Sequence, residues 1–181
     1  MTWLDTELDR LLAPEYLHEM EAGSIEDIRV MRAECQAAET AVSFLRRLAQ
    51  GRLDIIHAYL DRREDTGGTA DLTVLVEELP AIIAAGPPRP SGPGRLPPQL
   101  APDMERDDLA VELDEILDAG RIGELPTMSE DDLRSIADML TEIENRISNQ
   151  RRALHEQIDR LQAEIVSRYK SGRASVDGLL A

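Results

Sequence analysis

Two sets of five polar residues recur with one spacing along this 181-residue chain: Glu39, Ser43, Arg46, Gln50 and Asp54, then Glu144, Ser148, Arg151, His155 and Asp159. Each member of the second set lies 105 positions after its counterpart, and only the fourth changes type, from Gln to His. On a helix turning about 100° per residue, five residues so spaced fall within an arc of roughly 80° and extend over about 22 Å. Each set is therefore one polar stripe. Arginine presents a planar fork of donors that suits phosphate or the O6/N7 edge of guanine. A carboxylate accepts from paired donors such as the N1–H and N2–H2 groups of guanine, while serine and glutamine add adaptable hydrogen bonds. One stripe thus offers both halves of what a guanine nucleotide needs, and two related stripes suit a ligand with two-fold symmetry. The plain alternative is a solvated helix flank, with Glu39, Arg46, Glu144 and Arg151 as ordinary surface charges. Duplication of a structural helix would leave the same trace, but ten positions in register weigh against coincidence.

The elements that must carry these stripes are long helices. Ile28, Met31, Cys35, Ala38, Val42, Leu45, Ala49, Arg52 and Ile56 alternate at spacings of three and four, as do Leu133, Ile136, Leu140, Ile143, Ile147, Gln150, Leu154, Gln157 and Leu161. That alternation is the coiled-coil signature, and the two series share one heptad register. With Ile28 at heptad position a, each stripe occupies e, b, e, b and f, on one flank of the seam. In an antiparallel pair the two e-flanks face each other on the same side, whereas a parallel in-register pair separates them. An all-α antiparallel hairpin within one chain is the economical architecture, and a parallel homodimer would also satisfy the seam. Arg52, Gln150 and Gln157 would serve register better than stability, and Cys35 on the seam reads as a small core residue.

The chain divides into a short amphipathic segment (1–23), a first coiled-coil helix (24–63), a connector (64–128), a second coiled-coil helix (129–170) and a tail (171–181). Ser24 with Asp27, and Ser129 with Asp132, mark the two helix starts as capping boxes with Asp in place of Glu. The connector holds a Pro- and Gly-rich linker at 86–102, with a short apolar element expected over Asp71–Ala85 and a short amphipathic helix over Asp107–Ala119. Each long helix, at about 40 residues and 1.5 Å per residue, spans roughly 60 Å and calls for a partner helix.

Composition excludes several classes. Asp and Glu number 36 against 20 Lys and Arg, a formal charge of -16, and aromatics are 3%. Such acidity argues against broad nucleic-acid or membrane-surface binding and for a basic partner. One Cys builds no disulfide framework, no Cys/His group has zinc spacing, and no apolar run has membrane-spanning length. A cytoplasmic product without metal is expected. An enzyme is the weakest reading, because His18, His57 and His155 are scattered, and neither a Gly-rich phosphate loop nor a nucleophile beside a base is present. An adaptor coiled coil for a basic protein and an acidic DNA mimic remain as competitors, although neither requires Arg, Ser and Asp at fixed offsets.

The pattern E-x3-S-x2-R-x3-Q-x3-D, matched fully by Glu39 to Asp54 and in four of five places by Glu144 to Asp159, resembles that of the RsiG-type anti-sigma factors of actinobacteria. The resemblance implies that a dimer of cyclic di-GMP sits on paired stripes. It further implies that the liganded protein holds a sporulation sigma factor of the WhiG type away from RNA polymerase. His155 departs from the pattern but can still donate and accept. On this reading the acidic helix near 107–119 and the segment around Trp3 are candidates for further sigma contacts.

Overall fold

The structure, a computed structural model, describes residues 3–65, 77 and 108–171. The element expected over Asp71–Ala85, the Pro-rich linker at 86–102 and nearly all of the tail lie outside these residues. The described part is helical throughout: α1 (Trp3–Leu12), a 3-10 turn (Tyr16–His18), α2 (Glu19–Ala22), α3 (Ile25–Asp65), α4 (Asp108–Ile116), α5 (Ala119–Glu124), a 3-10 turn (Leu125–Thr127) and α6 (Glu130–Lys170). Trp3 opens α1, but its side chain is not among those described.

Local chemistry sets the starts of the long helices. The Asp27 amide donates to Ser24 Oγ at 3.2 Å while the Ser24 amide donates back to the Asp27 carboxylate at 2.7 Å. Ser129 and Asp132 repeat the exchange at 3.1 and 3.3 Å. These reciprocal bonds satisfy amides left over at a helix start. They also hold both carboxyls below the usual aspartate range, chiefly through the serine hydroxyl.

Two compact units form, one from Met1–Ser43 with Ser148–Ala181 and the other from Phe44–Ile147. In unit 1 the polar contacts between α3 and α6 pair Arg29 with Tyr169, Arg32 with Gln162, and Glu39 with Arg151. In unit 2 they pair Arg46 and Gln50 with Glu144. Rising numbers on α3 meet falling numbers on α6, so the long helices run antiparallel and each finds its partner within the chain. All apolar seam positions are buried, from Ile28 to Ile56 on α3 and from Leu133 to Leu161 on α6. Two of the three polar seam positions do more than set register. Gln157 donates to the Leu11 carbonyl of α1 at 3.0 Å, and Arg52 pairs with Asp114 of α4. They tie down the short helices, whose Leu4, Leu8 and Leu11, and Leu109 and Leu113, are buried with spacings of three and four. Cys35 is fully buried and burial pushes its thiol up, the state of a core residue.

The 105-residue offset reaches well beyond the heptads. Ile25–Asp65 and Glu130–Lys170 have the same length of 41 residues and the same offset. Ser24 and Asp27 correspond to Ser129 and Asp132, and Leu4 and Leu8 to Leu109 and Leu113. Arg63 donates to the Met128 carbonyl at 2.7 Å, and its counterpart Arg168 donates to Gly23, the counterpart of Met128. The described chain is thus two copies of one plan, a short helix, a turn and a long helix. The division between units falls at Ser43 and Ser148, which are equivalent positions. Each unit therefore combines the first part of one copy with the second part of the other.

Candidate functional site

In unit 1 the stripes of α3 and α6 meet at the Glu39 carboxylate. Its Oε1 accepts from Ser43 Oγ at 2.7 Å and from Arg151 Nε at 3.1 Å, and His155 Nε2 lies 3.2 Å away. Arg151 Nε is also 3.0 Å from Ser43 Oγ. Glu39 is the one buried charged residue among the described residues, 9% exposed. Burial pushes its carboxyl up, but Ser43, His155 and Arg151 together outweigh that and hold it below the usual range. The site is therefore ionised at neutral pH and acts only as an acceptor.

In unit 2 the roles of the helices are exchanged. Glu144 Oε1 on α6 accepts from Arg46 Nε at 2.9 Å and from Gln50 Nε2 at 3.2 Å on α3. The 105-residue offset turns one cluster into the other: Arg46–Glu144 becomes Arg151–Glu39, and Gln50–Glu144 becomes His155–Glu39. Both arginine side chains are about one-third exposed, at 34% and 37%, while each is anchored to a carboxylate of the opposite helix.

The contacts above bring together Glu39, Ser43, Arg151 and His155 in unit 1, and Arg46, Gln50 and Glu144 in unit 2. Ser148 and Asp54 are half-buried and Asp159 is exposed. Neither aspartate side chain hydrogen-bonds or pairs with another described residue, and each sits one helical turn beyond Gln50 or His155. Sequence reasoning did not single out Arg63 and Arg168, which fasten the turns before the long helices, although their 105-residue separation was a readable signal. Nor did it find the Arg10–Tyr16–Glu34 network of unit 1, which joins segments far apart in sequence and has no period to show it.

Chemically, each cluster sets a guanidinium fork beside a carboxylate on the facing helix. It can offer donors to an anion and an acceptor pair to a donor edge. No group of ligating side chains suited to a metal occurs among the described residues, and no described helix is long and apolar enough to cross a membrane.

A search of curated proteins gives no match. The family model described as RsiG-like matches residues 14–83 and 120–181, covering both long helices and most of the chain. That family comprises regulatory anti-sigma factors rather than enzymes, and a sigma factor is the partner it implies. The chain belongs to the RsiG-like family of anti-sigma factors.

Proposed function

We propose that the two clusters hold cyclic di-GMP, as a dimer of the dinucleotide, and that the liganded protein grips a WhiG-type sporulation sigma factor and keeps it from RNA polymerase. The observation that carries this reading is the reciprocal pair, Arg46 with Glu144 and Arg151 with Glu39. Equivalent clusters suit a ligand that presents the same groups twice. The donor set fits such a ligand. Glu39 and Glu144 would accept from guanine N–H groups, while Arg46 and Arg151 would meet phosphate or the guanine O6/N7 edge. Exposed Arg47 and Arg152 follow them and add local positive charge, which a dianion needs on a chain of net charge -16. Asp54, Asp159 and Ser148 would complete the stripes. When bound, the dinucleotide supplies guanine and phosphate surface to the interface, so a fall in its concentration releases the sigma factor by mass action. The acidic surface of the chain favours the basic surface that DNA-binding sigma domains present.

Calorimetry with cyclic di-GMP on the full chain tests the ligand. Binding in the micromolar range or tighter is expected, about −8 kcal/mol or stronger. Arg46→Ala and Asp159→Ala should each weaken it by about tenfold or more while circular dichroism stays helical. A flat trace both alone and with a WhiG-type sigma factor present would refute the site. Co-purification of the sigma factor regardless of the dinucleotide would favour a ligand-independent adaptor instead.

A further inference from the structure

Because the chain repeats one plan, the places where its two copies differ are informative. In unit 1 a cavity of about 350 Å³ opens beside α1, the Tyr16 turn and the start of α3; besides the Gly23 backbone, its lining includes Arg10, Tyr16, Asp27, Val30, Met31 and Glu34. Buried Tyr16 places its hydroxyl 3.1 Å from the Met31 carbonyl and 3.0 Å from Glu34 Oε2. The Arg10 guanidinium lies over the Tyr16 ring at 5.4 Å and donates to Glu34 at 2.8 Å and Glu7 at 2.6 Å. Val30 is 53% exposed, the most exposed large apolar residue among those described.

The counterparts, 105 positions on, are Glu115, Arg121, Asp132, Ser135, Ile136 and Met139. Only the capping aspartate and an aliphatic seam residue are kept. Arg121 does not replace Tyr16 in kind, since its guanidinium turns back onto the Glu115 and Ile116 carbonyls. The same plan thus carries different chemistry in unit 2. In unit 1 the floor is apolar and aromatic, while the rim sets the carboxylates of Asp27 and Glu34 beside the guanidinium of Arg10. An acidic rim over an apolar floor suits a lysine or arginine, whose stem lies on apolar surface while its head stays at the polar edge.

We propose that this cavity receives a lysine- or arginine-bearing segment of the sigma partner, so that the partner distinguishes unit 1 from unit 2. Proteins that contact DNA phosphates carry such side chains. Two units of like construction would otherwise offer a partner two equivalent places, and specificity requires a difference in affinity between them. The proposal rests on the sigma-partner reading, and it does not depend on where the dinucleotide contacts the chain.

The test uses the full chain, cyclic di-GMP and a WhiG-type sigma factor. Combined Val30→Ser and Glu34→Gln should weaken sigma binding by about tenfold, most strongly at low salt, with dinucleotide binding to the isolated chain unchanged. The reciprocal pair Ser135→Val and Met139→Glu should leave sigma binding as it was. Hydrogen exchange on the unmodified complex should show protection across residues 16–34 beyond that across 121–139, a readout that needs no variant to fold. Parent-like affinity of the Val30/Glu34 variant, or equal protection of the two stretches, would overturn the cavity's role while leaving the anti-sigma reading intact. Failure of the parent to bind sigma in any condition would overturn both.

Discussion

At the scale of single residues, Glu39 concentrates the chemistry of the site. Two donors, Ser43 and Arg151, with the His155 ring beside them, hold a buried carboxylate ionised, and Glu39→Gln removes the charge while keeping the shape. Losing charge-assisted hydrogen bonds at a buried position should cost about 1–3 kcal/mol at pH 7. The pH dependence has a defined sign. A carboxyl held below its ordinary value of 4.5 contributes stability that is fully present above that value and is lost as pH falls through the lower folded value. Denaturant midpoints of parent and variant should therefore differ at pH 7 and converge on acidification. A gap that stays constant down to pH about 3 would mean that Glu39 acts by packing rather than charge. The stripe residues were legible because five types at a fixed spacing recur on helices. The partner of each arginine was not, since facing e-flanks fix a side and leave open which carboxylate on that side each guanidinium meets.

At the scale of elements, the long helices follow from the heptads, and the seam residues are buried accordingly. Their first turns are equally readable, because a serine followed by aspartate three residues on is a local device that needs no tertiary context. Ser129→Ala should lower stability by about 1 kcal/mol, measured by thermal unfolding, with the helical spectrum below the transition unchanged. The short elements are another matter. Helix α4 showed as an amphipathic segment, but α5 and the 3-10 turn after it contain Gly120, Gly123 and Pro126, residues that disfavour a helix and carry no period. There Asp118 accepts from the Arg121 amide at 2.7 Å and starts a helix too short for any period to reveal. The polar seam positions also needed coordinates to explain them, because Arg52 and Gln157 answer to α4 and α1 rather than to the seam. Arg52→Leu should fill the seam yet release α4. Amide exchange in 108–116 should rise while that in α3 stays slow. Gln157→Leu should do the same to α1, whereas unchanged exchange in both short helices would show that their buried leucines suffice.

At the scale of the whole molecule, the sequence carries the repeat plainly in the stripes and heptads, and faintly elsewhere. The accessory helices share only scattered leucines, and side chains that meet different surroundings diverge, as Tyr16 and Arg121 do. What the repeat builds has a mechanical consequence. Unit 1 takes Met1–Ser43 from the first copy and Ser148–Ala181 from the second, and unit 2 takes the remainder of each. Neither copy can bury its seam without the other: Leu45 and Ile56 share a unit with Leu133 and Ile147, and Ile28 and Cys35 share one with Leu154 and Leu161. Burial of a leucine or isoleucine contributes about 1.5–3 kcal/mol, so separating the copies exposes far more apolar surface than a chain of marginal stability can lose. A protease site inserted between residues 86 and 102, once cut, should therefore leave two fragments that co-elute in size exclusion and unfold in one transition. The nicked protein should lose stability mainly through chain entropy, visible as a midpoint that rises with protein concentration. Fragments that separate while each stays helical would show that each copy folds by itself, and the reciprocal clusters could then not depend on side chains from both.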